Sequence, residues 1–262
     1  MSTDPLQVHA ILAPNTPDQP LHIAAWQNRV KIARLLIAAG ADLNARGLHG
    51  WTPLHYAAHH GSPTVAQVLI NSGADINQKD EVGFTPLFKA TRSREPEAAR
   101  IEQMLVKAGA IVDLNTAVCL GDLQRIHQIL AADPDAVQHA PFPLDLVYDA
   151  VIAINGRLGR ECPVGDDWTP EKAQNVLIKY RPLLDMLIEH GADIDGIGFA
   201  GRPPLFVAVQ MDHPLIAEIL LHHGANVNYR IREGRDAWHV ASNPRSAESV
   251  RQLLMKYGFT SP

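Results

Sequence analysis

Histidine is the residue type that most invites a chemical reading, with thirteen copies among 262 residues. His55 and His59 are four apart, a spacing that sets two imidazoles on one helical face, as zinc ligands often are. The H-E-x-x-H arrangement of zinc proteases needs an acid after the first histidine as general base, and Tyr56 stands there instead. His59 and His60 read either as solvated surface histidines or as contacts for a partner. His222-His223 precedes Gly224 and suits the negative end of a helix dipole. A second polar cluster gathers Arg160, Glu161, Cys162, Asp166 and Asp167. Adjacent carboxylates of this kind bind a cation or simply solvate a loop. The phosphate-cradling G-x-x-x-x-G-K-[ST], the dinucleotide G-x-G-x-x-G and the nucleophile elbow G-x-S-x-G are all absent. No catalytic residue, cofactor-binding residue or metal ligand is therefore expected. An enzyme or metal protein built around residues 156–180 is the rival reading.

The bulk numbers narrow the class further. A net charge of −5 lacks the basic footprint of a nucleic-acid binder. Two cysteines far apart, Cys119 and Cys162, argue against a disulfide framework and fit a reducing compartment, so a cytoplasmic location is expected. The opening M-S-T-D-P-L-Q-V-H-A lacks the basic start and apolar core of a secretory leader. No apolar run approaches the length of a membrane span, so no membrane partner is expected.

What positions the histidines is a repeated element, clearest at residues 50–77. Thr52 is a helix N-cap and Pro53 takes the first helical position, where a missing N–H costs nothing. Leu54, Ala57 and Ala58 make a short apolar stripe. Gly61 ends that helix and Ser62-Pro63 opens a second, whose Val65, Val68 and Leu69 follow helical spacing. Gly73 supplies the left-handed stop before Asp75-Ile76-Asn77. Leu21, Leu54 and Leu87 are 33 apart, as are Gly40 and Gly73. One such unit cannot bury its apolar face alone, but stacked units can.

The T-P-L-H-Y-A-A stretch, the G-A-D endings and the 33-residue period resemble the ankyrin repeat. That resemblance implies an all-α ankyrin-repeat solenoid of helix–turn–helix units with short hairpin tips. About seven repeats are expected, the fourth and fifth irregular, in a single domain over 1–262. Residues 1–13 read as an N-terminal capping helix and 234–262 as a C-terminal capping repeat. In repeat 1 the outer helix, about 30–39, is expected to bury Val30, Ala33, Leu35, Leu36 and Ile37. Repeat 3 carries three extra residues near Ser93–Ala98. Repeat 4 keeps Ala117 and Gly121-Asp122 but loses the T-P start, and Asp133-Pro134 ends its outer helix. Repeat 5 has an inner helix over about 144–155 and an insertion of about 25 residues at 156–180. The insertion reads as loop to Trp168, then a short extra helix from Thr169-Pro170, with Pro182 separating it from the outer helix or kinking the two. The last helix of repeat 7 is expected to bury Val250, Leu253 and Leu254.

The resemblance also implies roles. His22, His55 and His239 become structural, bonding the hairpin to the helix. Partner contacts fall on hairpin tips and inner-helix ends of the concave face. These are Trp26 and Gln27 in repeat 1, then Leu48, His49, Trp51, His59 and His60 in repeat 2. Repeat 3 contributes Glu81, Phe84 and Arg92, and repeat 6 contributes Arg202, Gln210 and Met211. For Trp26, Trp51 and Phe84, packing against the next hairpin is the competing role. The expected function is a monomeric, non-catalytic protein-binding scaffold, with an inhibitor or immunity-type partner of an enzyme as a sharper variant.

Overall fold

The computed structural model describes residues 18–140, 146–161, 170–197, 201–211, 213–231, 234, 237–241 and 248–259; at 155–161, 170–177, 179, 180, 248 and 249 only the backbone is described. Regular structure among these residues is helical throughout. The contacts divide the chain between Val112 and Asp113.

The first unit holds α1 (Pro20–Trp26), α2 (Val30–Ala38), α3 (Pro53–His59), α4 (Pro63–Asn71), α5 (Pro86–Thr91) and α6 (Ala98–Lys107). The start signals act as their chemistry requires. Thr52 Oγ1 accepts the His55 N–H at 3.4 Å, and Thr85 Oγ1 accepts the Phe88 N–H at 3.3 Å, each with proline at the first helical position. Gly73, at φ 87°, turns the chain out of α4, and the Ala74 N–H closes back on the Leu69 carbonyl at 3.0 Å. Inner helices α1, α3 and α5 pack in one row and outer helices α2, α4 and α6 in another. Ala24, Ala25, Ala57, Ala58 and Ala90 are buried and small, which lets the inner row close up. Leu21, Leu54 and Leu87 fill equivalent places and are buried, each burial worth about 1.5–3 kcal/mol. The three extra residues of repeat 3 lie between α5 and α6, as expected.

The repeats are also laced by polar bonds, most running from a side chain of one repeat to the next. Asn44 Oδ1 accepts the Asp75 N–H and Asn77 Oδ1 the Ile111 N–H, both at 2.8 Å. Asn28 Oδ1 accepts the Val65 N–H at 3.3 Å. His22 and His55 reach forward to backbone carbonyls in the same sense. The contrary direction is taken by Ser62 Oγ, on the Trp26 carbonyl, and Ser93 Oγ, on that of His59.

The second unit begins with α7 (Leu114–Leu120), α8 (Leu123–Ala132) and the single turn α9 (Ala136–His139). Then come α10 (Leu146–Glu161), α11 (Pro170–Glu189), α12 (Pro204–Gln210), α13 (Pro214–His222), α14 (Ala237–Ala241) and α15 (Glu248–Lys256). Helix α10 packs on α7, α11 and α12, and α13 packs on α11, α12 and α15. Leu146, Ile154, Leu183 and Leu184 are fully buried there.

Several expectations are corrected. Residues 156–161 are not loop but continue α10, which has 16 residues against seven in α3. Pro182 does not separate two helices; it lies inside α11, which spans 20 residues. Pro182 faces solvent, where water can satisfy the carbonyl that its missing N–H leaves free. Leu35 is 58% exposed rather than buried, because α2 turns Ala33 inward. Leu253 is only half-buried, beside fully buried Val250 and Leu254. The expected cap at 1–13, most of the loop at 156–168 and the Asp166-Asp167 pair fall outside the described residues.

Asp195 occupies the place that asparagine holds at 44 and 77, and its carboxylate accepts the Asn226 N–H at 3.1 and 3.2 Å. Burial raises its pKa; the Asn226 N–H opposes this and the Asp193 charge adds to it. A raised folded pKa means that ionisation costs stability as pH rises past the carboxylate range. Asp195→Asn is expected to raise the thermal midpoint at pH 7 by about 1–2 °C, with the gain gone at pH 3. A midpoint lowered at pH 7 would show that the carboxylate is preferred there.

Candidate partner-binding face

The face is built from positions that recur every 33 residues. Trp26, His59 and Arg92 hold one position, Gln27 and His60 the next, and Trp51 and Phe84 a third on the hairpin. Helices α1, α3 and α5 pack side by side, which brings these positions into register.

The side chains form two groups of touching rings joined by the Lys89 ammonium. Trp26 lies 5.5 Å from His60 between ring centroids, and His60 stacks on Tyr56 at 6.2 Å. His59 meets His60 edge-on at 4.9 Å and Trp51 at 5.1 Å. Trp51 also meets Tyr56 edge-on at 5.1 Å. Lys89 Nζ sits 4.6 Å from the Trp51 ring and 4.5 Å from the Phe84 ring, within cation–π range of both. Phe84 stacks on Phe88 at 4.4 Å, and the Arg92 guanidinium lies 5.7 Å from the Phe88 ring. Trp26 ends its group 48% exposed, whereas Trp51, Phe84, His59, His60 and Arg92 are half-buried.

Two acids hold the backbone beneath. Asp80 Oδ1 accepts the N–H groups of Val82, Gly83 and Phe84 at 2.8–3.0 Å. Its Oδ2 pairs with Lys89 Nζ at 2.8 Å. Burial pushes the Asp80 pKa up, but Lys89 and the Phe84 N–H outweigh it and hold it low. In the preceding hairpin Gly47 takes the place of Asp80, and Asp18 from repeat 1 substitutes. Asp18 Oδ1 accepts the Leu48 N–H at 2.9 Å, and both its carboxylate oxygens accept from the Tyr56 hydroxyl at 3.0 Å.

The imidazoles on this face are tuned toward neutrality. Burial lowers the pKa of His59, and His60 and Lys89 lower it further. Burial lowers that of His60 too, and Glu95 partly opposes it. His55, beneath, is driven by burial to about 4. Its Nδ1 accepts the Thr52 N–H at 3.1 Å and its Nε2–H donates to the Phe84 carbonyl at 2.9 Å, the tautomer this network requires. His22 repeats the pattern, with Nδ1 on the Gln19 N–H and Nε2 on the Ala45 carbonyl, both 2.9 Å.

The remaining expected contacts lie apart from the rings. Leu48, His49 and Glu81 are exposed on the hairpins, and the His49 carbonyl accepts the Glu81 N–H at 3.1 Å. Gln27 is exposed beyond α1. In the second unit, Arg202 Nη1 donates to Gln210 Oε1 at 3.0 Å and its guanidinium lies 5.6 Å from Phe206; Met211 follows α12, half-buried. Sequence reasoning missed Lys89, Tyr56 and Asp80. The period could have found Lys89, since it stands 33 residues after Tyr56, on the stripe that faces the hairpin. Among the described residues no three of His, Cys, Asp and Glu group to hold a metal, and no helix is long and apolar enough to cross a membrane.

Residues 21–116 match the family described as ankyrin repeats (3 copies), and residues 200–232 match the ankyrin repeat. The chain belongs to the ankyrin-repeat family. Repeats 4 and 5 of this ankyrin-repeat protein, the irregular ones, lie mostly between the matched spans. A 70-residue stretch is 41% identical to the B-cell lymphoma 3 protein homolog of Mus musculus, covering 26% of this chain and 16% of that protein. A 76-residue stretch is 38% identical to the E3 ubiquitin-protein ligase KEG of Arabidopsis thaliana, covering 28% and 5%. The matched stretch thus spans less than a fifth of either relative. The human ASB11 ankyrin repeat domain aligns over 94% of this chain and 100% of its own, at 24% identity and TM-score 0.46. Ankyrin repeats make this chain a protein-interaction scaffold.

Proposed function

We propose that this ankyrin-repeat protein binds another protein, without catalysis, through the face made by Trp26, Trp51, Phe84, His59, His60 and Arg92. The observation that carries the reading is the run of touching rings from Trp51 through His59 and His60 to a half-exposed Trp26. A large indole left to water contributes little to the fold, whereas buried by a partner it is the kind of anchor that dominates interface energy. The concave face of repeats 1–3, a cytoplasmic location and a monomeric state belong to this reading. The inhibitor or immunity-type role is its variant in which the face covers an enzyme's active site, and it rests on the family resemblance alone.

Trp51 is a poor probe, since it packs on Tyr56 and His59 and lies under Lys89. Trp26→Ala with His60→Ala is the cleaner variant. Immobilised beside the wild type in extract from the native cell, it is expected to retain a partner at least tenfold less well, about 1.4 kcal/mol. Its thermal midpoint should move by less than about 2 °C, while Arg202→Ala should retain the partner normally. Equal retention by the double variant would move the site away from this face.

A further inference from the structure

Outer helices of the first unit pack in sequence, α2 against α4 and α4 against α6. Val65 and Leu69 on α4 are fully buried, as are Ile101 and Leu105 at the matching positions of α6. On α2 those positions are Ile32 and Leu36. Ile32 is 36% exposed and Leu36 half-buried. Pro20 on α1 is likewise half-buried where Pro53 and Pro86 are buried. The difference lies in what comes before: α4 has α2 and α6 has α4, whereas α2 has no preceding outer helix among the described residues. A terminal repeat normally turns a polar face outward. Repeat 1 instead keeps isoleucine and leucine on its open side, as an interior repeat does.

We infer that residues 5–13 cover this side, as an outer helix without an inner partner that lays Val8, Ile11 and Leu12 against Ile32 and Leu36 of α2. The sequence supplies each part. Asp4-Pro5 is a helix start and Pro14 a stop. The nine residues from Pro5 to Ala13 equal the nine of α2 and of α4. Val8, Ile11 and Leu12 repeat the spacing of Ile32, Leu35 and Leu36 and of Val65, Val68 and Leu69, the mark of an outer helix in this chain.

The tether decides where the helix can sit. Asp18 is fixed by the Leu48 N–H and the Tyr56 hydroxyl, and Gln19 by His22 Nδ1. From Ala13 to Asp18 the chain can span about 17 Å. Packed helices lie about 8–10 Å apart, and α1, which follows Gln19, packs directly on α2. The open side of α2 is therefore within reach, and the short connection leaves out the hairpin that separates later repeats.

Hydrogen exchange on the full chain tests the placement. Amides of residues 6–13 are expected to exchange at least tenfold more slowly than in a free peptide of the same sequence, at every protein concentration. Ile32→Asp should abolish that protection while α3 keeps its own. Leu12→Asp should lower the thermal midpoint by about 3–5 °C in the wild type and hardly at all in a chain that already carries Ile32→Asp. Unprotected amides, or equal losses from Leu12→Asp in both backgrounds, would overturn the inference. Protection that grows with protein concentration would give the open side to a second copy. Protection lost in Trp26→Ala/His60→Ala rather than in Ile32→Asp would seat the segment on the ring face. Either result also overturns it.

Discussion

Replacing His55 with alanine is expected to lower stability by about 3 kcal/mol, since it strands two backbone groups and leaves a void at a fully buried site. The Thr52 N–H and the Phe84 carbonyl both lose their imidazole partner, and the second bond joins one repeat to the next. The same ring makes the protein acid-labile. In the fold the His55 pKa is about 4 against 6.5 for the free side chain. A depressed histidine pKa means that the unfolded chain binds the proton first. The stability held by the neutral ring is complete above about 6.5 and drains as pH falls toward 4. At pH 5 the loss from His55 alone is about 2 kcal/mol, or about 4–8 °C in thermal midpoint. His59 and His60 are shifted the same way and add to it. Thermal melts at pH 7.5 and 5.0 on the wild type and on His55→Gln provide the check. The variant should lose clearly less than the wild type between the two pH values. Parallel losses would mean that the acid response comes from other groups.

Gly47→Asp is the second large effect, and it is expected to be conditional. A side chain at Gly47 would place its Cβ 2.1 Å from Asp18 Oδ1 and 3.1 Å from His22 Nε2. Backbone conformation is no obstacle, since φ is −92°; the space is simply filled. Overpacking and a second carboxylate beside the first should cost about 2–3 kcal/mol. Yet Asp80, one period later, shows that this hairpin position suits aspartate. With Asp18→Ala also present, the introduced carboxylate can accept the N–H groups of His49, Gly50 and Trp51, as Asp80 accepts those of Val82, Gly83 and Phe84. The pair should recover at least half the loss, a coupling of about 1–2 kcal/mol in urea unfolding. Simple additivity of the two changes would show that Asp18 does not stand in for the missing side chain.

Much of the fold is legible in the sequence because each repeat announces itself locally. Thr52-Pro53 starts a helix and Gly73 stops one whatever surrounds them, and the 33-residue period copies those marks along the chain. Leu35 is harder. It stands two residues from buried Ala33, about 200° round the helix, so the period puts it on the opposite face and its apolar type alone misleads. Residues 156–161 are harder still. Gly156 and Gly159 weaken helix propensity, yet α10 runs through them, so the surroundings override the local preference. In the candidate face, the positions of Trp26, His59 and Arg92 follow from the period. That Lys89 lies between Trp51 and Phe84 does not, because the contact joins two repeats and depends on side-chain direction. The substitution of Asp18 for an absent aspartate at 47 was equally hidden, since a glycine gives no sign of what fills its space.

The lacing of the first three repeats has a sense of travel. Asp18, His22, Asn28, Asn44, His55 and Asn77 each reach forward to a later repeat, while Ser62 and Ser93 reach back. A ribosome makes the earlier repeat first. Each later repeat therefore takes side-chain partners for its backbone mainly from the repeat made before it.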